Sequence, residues 1–250
     1  MRNHIRRQQI ANEVNRVRSM TVGQLAGQFQ VSVETVRRDL HWLEMTGRLV
    51  RVHGGARTLQ QEDLGELFKR RRSEHARAKR IMARKALGLI KREMTIGLDA
   101  SSSDWFLARL LPDMPLTVVT NSLEVLRELS TRPNVRIICT GGEYCSRHAD
   151  FVGDAARRCL RGLRIHLGFV SCFGVDLFTG LWESSERNAL TKKTMIEVSQ
   201  ETVLLADSSK FGRRSPYNMA DWSRVNYVVN DGQLDEAILT RLAAHGVTVI

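Results

Sequence analysis

The sequence predicts an α/β protein of two modules, an N-terminal winged helix-turn-helix and a larger C-terminal domain built on a mostly parallel sheet. Three observations predict it. Two short amphipathic helical patterns flank a tight turn at 30–32 and lead into an alternating stretch that ends in glycines. Beyond residue 90, seven strand-like apolar runs are separated mostly by helical patterns. Charge is segregated as well: within a formal net charge of +11, residues 1–80 hold 17 Lys/Arg against 8 Asp/Glu, and the remaining 170 hold 21 against 19. A cationic excess confined to one small module points to nucleic acid or another polyanion.

With 250 residues and 42% hydrophobic side chains the chain is long enough to bury real cores. No apolar run approaches the roughly 18 residues of a membrane span, and the opening "MRNHIRRQQI" lacks the apolar core of a signal peptide. A cytoplasmic protein with no membrane partner is expected. Cys139, Cys145, Cys159 and Cys172 form no C-x-x-C pair and have no histidine at zinc-finger spacing, so buried free thiols are expected and no metal or cofactor.

In the N-terminal module, Ile10 and Val14 stand four apart within a helix over 5–15. A second helix follows Thr21, whose hydroxyl caps it, with Val22, Leu25, Ala26 and Phe29 on one side. Gln30 to Ser32 then turn, Ser32 caps a third helix, Glu34 suits its positive end, and Val36, Leu40 and Leu43 recur at i, i+4, i+7. Each residue advances about 100° around the axis, so the apolar stripe leaves Thr35, Arg37, Arg38 and His41 outside or on the flanks. Those positions fall in the early turns of the second helix of a helix-turn-helix, where side chains reach the major groove. The arginine fork grips guanine or a phosphate, and threonine bonds a phosphate or touches a thymine methyl. Past Gly47, "RLVRVHGGA" forms a two-stranded wing ended by Gly54 and Gly55, with Arg48, Arg51 and His53 available to phosphates. Residues 1–57 are therefore the winged helix-turn-helix. Residues 58–72, closing on Lys69 to Arg72, read as a linker or the start of a helix, and the second domain occupies 73–250.

That domain opens with a cationic helix from about 73 to 91 with Ala83, Leu87 and Ile90 on one side. The runs "MTIGLD", "LTVVTN", "VRIICTGG", "RIHLGFVSCFG", "TVLLAD", "VNYVVND" and "VTVI" are its strands. Sheets of this kind bind ligands beyond the carboxyl ends of their strands. The polar clusters stand there: Asp99 to Ser103, Thr120 to Ser122, Gly141 with Gly142, and Asp207 to Lys210. Ser101, Ser102 and Ser103 at a helix start offer hydroxyls, free N–H groups and a positive helix end; Asn121 and Ser122 repeat the arrangement. Gly141 and Gly142 permit close backbone approach, and Lys210 supplies a point charge. Together these loops predict an anion site, a phosphate above all.

The stretch "VSVETVRRDLHWLEMTGRLVRVHGGA", with T-V-R-R-D-L at 35–40, closely resembles the signature of the DeoR family of bacterial sugar-operon regulators, and the similarity extends over essentially the whole chain. The resemblance implies that Thr35, Arg37 and Arg38 contact operator DNA while Asp39 organises the helix. It also implies a sensor domain similar in fold to sugar-phosphate isomerases that binds a phosphorylated sugar. Asp99–Ser103, Thr120–Ser122, Gly141–Gly142 and Ala206–Lys210 match the family's loops, and Glu186 and Lys192 stand where it places polar residues. Departures are Ala100 before three serines, and Trp105 and Trp182 near the expected site. An isomerase would need a general base, for which Asp99, Glu183, Glu186 and Asp207 are available. The attached DNA reader favours a sensor over an enzyme: an operator-bound homo-oligomer, dimer or tetramer, with a sugar phosphate as effector.

Overall fold

A computed structural model describes residues 3–46, 48–58 and 68–250. The chain divides into two compact units, Met1–Arg70 and Arg71–Ile250. Gly47 and the stretch 59–67 of the expected linker lie outside the described residues.

In the first unit α1 (Asn3–Val17), β1 (Ser19–Thr21), α2 (Val22–Phe29), α3 (Val33–Met45), β2 (Val50–Val52) and β3 (Gly55–Arg57) follow in order. Thr21 caps α2 through a capping box with Gln24, and Ser32 caps α3 by accepting from Thr35 N at 3.2 Å. Between them Gln30 takes a left-handed conformation, φ 51°, which ends α2 and turns the chain. Ile10, Val14, Leu25, Val36, Leu40, Leu43 and Leu49 form a closed core, the stripe that the spacing predicts. The wing differs from expectation. Its glycines sit at the turn, not the end: Val52 pairs with Gly55 across a His53–Gly54 loop, and β1 completes a three-stranded sheet in the order β1-β3-β2. A Cβ on Gly55 would stand 2.3 Å from Met20 O, so only glycine lets β1 approach. Three residues are too few for alternation to reveal β1 in the sequence.

The second unit contains α4 (Phe68–Ser73, which begins in the first), α5 (Ala76–Leu87), β4 (Thr95–Leu98), α6 (Ser102–Leu110), β5 (Leu116–Thr120), α7 (Leu123–Leu129), β6 (Val135–Cys139), β7 (Glu143–Cys145) and β8 (Asp150–Val152). It continues through α8 (Asp154–Arg161), β9 (Ile165–Val170), β10 (Gly174–Asp176), β11 (Gly180–Glu183), α9 (Glu186–Val198), β12 (Ser199–Leu205), β13 (Tyr217–Ala220), β14 (Tyr227–Val229), α10 (Glu236–Ala244) and β15 (Thr248–Val249). Seven strands form one sheet in the order β15-β14-β12-β9-β4-β5-β6, every pairing parallel. These are the seven runs read from the sequence. Their apolar character follows from burial on both faces, with Val119, Ile165, Val170, Leu204 and Val228 packed among Leu160, Met195 and Ile196. Two small antiparallel sheets, β10-β11-β13 and β7-β8, were not expected; they are short and fall inside runs that read as single strands or loops. The opening helix ends at Leu87, not Lys91, and buries Lys79, Met82, Ala83 and Ala86 while Leu87 and Ile90 are only half-buried. Lys69 to Arg72 are helical, within α4. All four cysteines are free, but only Cys172 is buried; Cys139 closes an edge strand, which leaves it half-buried. Among the described residues no helix is long and apolar enough to cross a membrane.

The order places a reversal between β4 and β9: β5 and β6 extend the sheet on one side of β4, and β9, β12, β14 and β15 on the other. At such a switch point the loops diverge and leave room for a ligand beyond the strand ends.

Candidate functional site

Two sets of side chains are arranged for work, one in each unit. In the first, α3 presents Arg37, Arg38 and His41 to solvent while its other face is buried. Arg37 and Arg38 approach Glu34 at 3.8 and 3.7 Å, and all three side chains are exposed. Exposed pairs of this kind are worth about 0–1 kcal/mol, so they yield readily to a nucleic-acid phosphate or base. Ser32 and Thr35 hold each other at the helix start, hydroxyl to hydroxyl at 2.9 Å. On the wing Arg51 reaches Glu44 at 3.8 Å and His41 Nδ1 at 3.4 Å, which ties β2 to α3; His53 is exposed in the hairpin loop and Arg48 is half-buried. Asp39 is 1% exposed and accepts from Arg6 Nε at 2.6 Å and Arg7 Nε at 2.7 Å. Arg7 also lies over the Trp42 ring, 4.8 Å from its centroid. The organising role expected of Asp39 is thus a clamp of α3 onto α1. The sequence does not reveal Arg6 and Arg7 as partners of Asp39, because no periodicity links residues 33 and 32 positions apart.

In the second unit the switch point is closed by a buried ionic cluster. Asp99, directly after β4, accepts from Ser101 N at 2.6 Å and from Ser171 N, past β9, at 3.0 Å. Lys192 on α9 reaches Asp99 Oδ2 at 3.2 Å, donates to Glu183 Oε2 at 2.5 Å and to Ser171 O at 2.7 Å. Burial alone would raise both carboxyls and lower the amine. Lys192 and the hydrogen bonds from Asp104, Ser171 N and Ser101 together outweigh burial at Asp99, and Lys192 with Ser184 N and Arg71 does so at Glu183, so both are held low; the two carboxylates hold the Lys192 ammonium above its ordinary range. Asp104 behaves oppositely: burial first, then the Asp99 charge beside it, raise it well above the usual carboxyl range. Ser101 Oγ donates to Asp104 Oδ2 at 2.6 Å. A second cationic locus lies at Lys79 and Lys210. Lys79 is buried, donates to Arg71 O at 2.6 Å and Glu74 O at 2.5 Å, and falls to about 8 through burial and then through Lys210.

The residues predicted for the anion site divide by what they already do. Ser101 caps α6 by accepting from Asp104 N at 3.0 Å, and Ser102 and Ser103 follow, buried, in the first turn. Thr120 and Ser122 are fully buried and bonded internally: Thr120 Oγ1 donates to Leu98 O at 2.7 Å and accepts from Ser122 N at 3.0 Å, and Ser122 caps α7. Gly142, φ +112°, is required by packing, since a Cβ there would meet Val152 O at 2.6 Å, whereas a Cβ on Gly141 would meet nothing within 4 Å. Lys210 ends a 3₁₀ turn capped by Asp207 and is half-buried. Glu186 is exposed in the first turn of α9; the buried carboxylate of that region is Glu183. Trp105 lies between the guanidinium groups of Arg72 and Arg109, 5.0 and 4.9 Å away, and Trp182 donates to Thr179 Oγ1 at 3.0 Å. Among the described residues no group of three or more His, Cys, Asp or Glu is placed to hold a metal ion.

A cationic winged helix-turn-helix joined to an α/β domain with a buried ionic cluster at its switch point defines a DNA-binding regulator with a sensing domain. The family profile of the DeoR-like helix-turn-helix domain matches residues 6–62, and that of the DeoR C-terminal sensor domain matches residues 74–232. The chain belongs to the DeoR family of transcriptional regulators. It is 40% identical to the L-fucose operon activator of Haemophilus influenzae, over 95% of each chain. It is 31% identical to the glycerol-3-phosphate regulon repressor of Escherichia coli, over 89% of this chain and 88% of the other. Ribose 5-phosphate isomerase A from Methanocaldococcus jannaschii aligns over 53% of each chain at 18% identity with a TM-score of 0.40; a likeness of that degree carries no argument about chemistry. The relatives are regulators, and so is this protein, not an enzyme.

Proposed function

We propose that the protein regulates a carbohydrate-utilisation operon in response to a phosphorylated sugar. The observation that carries this reading is the pairing, in one chain, of an exposed Arg37–Arg38 face with buried cations and a capped helix N-terminus at a sheet switch point. The functions named for the relatives, L-fucose operon activation and glycerol-3-phosphate regulon repression, support the same class. Residues 1–57 dock on operator DNA through Ser32, Thr35, Arg37, Arg38, His41, Arg48, Arg51 and His53, residues 58–72 connect, and residues 73–250 sense. Asp99, Ser101 to Ser103, Thr120 to Ser122, Gly141, Gly142, Glu186, Lys192 and Lys210 surround the effector, Thr120, Ser122 and Gly142 by shaping loops. A homo-oligomer sets two winged helices on two half-sites, and the effector shifts their spacing or mobility by binding one arrangement better than the other.

A thermal-shift screen of the full chain against aldose and ketose phosphates tests the sensing half, because a ligand at 100 times its Kd adds about 2.7 kcal/mol of stability. At least one sugar phosphate is expected to raise Tm and change the operator footprint; a panel with no shift and an unchanged footprint would overturn the reading. On the DNA side, Arg37→Ala and Arg38→Ala are each expected to weaken operator binding about 10- to 100-fold, and the phosphate-contacting one to lower the salt slope by about one. Unaltered affinity in both would mean that α3 is not the reading helix. Lys210→Ala is expected to weaken the effector response roughly tenfold, the worth of one charged hydrogen bond, read by titrating the sugar phosphate and following operator affinity and footprint.

A further inference from the structure

The carboxyl end of the sheet carries polar atoms that the fold itself does not use. Asp150, the first residue of β8, is 1% exposed, yet among the described residues neither of its carboxyl oxygens has a hydrogen-bond partner. Asn121, directly after β5, is 3% exposed; its Nδ2 donates to Phe151 O at 3.1 Å, which fixes the amide, and its Oδ1 has no donor among the described residues. The backbone holds the two side by side. Ser122 and Asp150 form a bridge, Phe151 N donates to Asn121 O at 2.8 Å, and Leu123 N donates to Ala149 O at 2.9 Å.

Leaving a buried oxygen unsatisfied costs on the order of 1–3 kcal/mol, more when it is charged, so two such residues at one place are a standing expense of stability. The chemistry of what would relieve it is one-sided. Each of these oxygens accepts, and a phosphate ester is itself an acceptor and an anion, so it would be repelled. Hydroxyl groups would satisfy them. Burial pushes Asp150 up to about 7 against the pull of Arg71 and Lys192, so its acid form, which can also donate once, is populated near neutrality, and sugar hydroxyls, which both donate and accept, satisfy either form.

We infer that Asp150 and Asn121 form the hydroxyl-reading edge of the effector site. The ligand lies with its phosphate toward Ser101–Ser103 and Lys210 and offers sugar hydroxyls to Asp150. This rests on the sensor reading above and adds which side chain separates a sugar phosphate from a bare phosphate.

The test titrates full-length wild type and Asp150→Asn by calorimetry with inorganic phosphate, glycerol 3-phosphate, fructose 1-phosphate and a wider set of ketose and aldose monophosphates. The best sugar phosphate is expected to bind wild type at least about tenfold more tightly than inorganic phosphate, the worth of one or two hydroxyl hydrogen bonds. Asp150→Asn should shrink that margin to about threefold or less with inorganic phosphate bound alike by both. The ligand-free variant should melt at or above wild type, because it no longer buries an unpaired carboxylate. A variant that keeps the margin overturns the inference and leaves the sensor reading standing. If Asp150→Asn and the smaller Asp150→Ser both melt several degrees below wild type, Asp150 is a structural residue and the inference fails. A wild type that binds no sugar phosphate better than inorganic phosphate fails the sensor reading, and this inference with it.

Discussion

Asp39→Ala is expected to abolish operator binding and to unfold the first unit at physiological temperature. Asp39 is 1% exposed and takes both Arg6 and Arg7, so its removal leaves two guanidinium groups without their counter-charge, one of them 8% exposed. Breaking a buried ion pair by deleting one partner costs about 3–5 kcal/mol. A small domain has about 5–15 kcal/mol in total, and the described core of this one, around Ile10, Leu25 and Leu40, is modest. The loss also frees α3 from α1, and α3 carries the arginines whose placement reads DNA. A far-UV circular-dichroism melt of the variant, together with its operator affinity, measures both consequences. A variant that melts and binds like wild type would mean that the clamp contributes nothing. Asp39→Asn, which keeps the shape but can accept only one of the two guanidinium hydrogen bonds because its Nδ2 donates, should fall between.

Lys192→Met is the corresponding blow to the second unit. It leaves Asp99 and Glu183, both buried, with no cation between them, and the cost is again about 3–5 kcal/mol, or a Tm lower by about 10 °C in a domain of this size. Its pH dependence has a definite sign. In wild type the carboxyls of Asp99 and Glu183 are held below their ordinary values of 3.8 and 4.5, so their stabilisation is present above those values and is lost as pH falls through the depressed ones. The Lys192 ammonium is held above 10.5, so its share is complete below that value and is lost only as pH rises through the raised one. Wild type is therefore supported throughout the neutral range. Without Lys192, burial acts on Asp99 and Glu183 as it does on Asp104, and they take up protons at higher pH than the unfolded chain does. The variant's deficit should shrink as pH is lowered from 8 toward 5, and a deficit independent of pH over that range would show that the cluster is not ionised as described.

Local patterning made most of the architecture legible. Thr21 and Ser32 announce the two helix starts, Val36, Leu40 and Leu43 define the buried stripe of α3, and the seven apolar runs mark seven parallel strands, because capping and burial impose periods that survive in a linear text. The glycines of the wing were visible as residues, though not their use: that Gly55 admits β1 depends on a strand 34 positions earlier. The same limit governed the effector site. The serine loop, T-N-S, G-G and Lys210 stood out by composition, and the structure gives several of them structural tasks.

By itself the sequence determined the buried stripe of α3, where α2 and α3 begin, that cations gather in the first module and that polar loops end the strands. Only the tertiary structure decided which charges meet: Arg6 and Arg7 with Asp39, Lys192 with Asp99 and Glu183, Asp99 with Asp104, and Asp150 with no donor among the described residues. Electrostatic energy in a protein interior depends on distance and desolvation, and neither quantity is written along the chain until folding brings the ends of separate strands together.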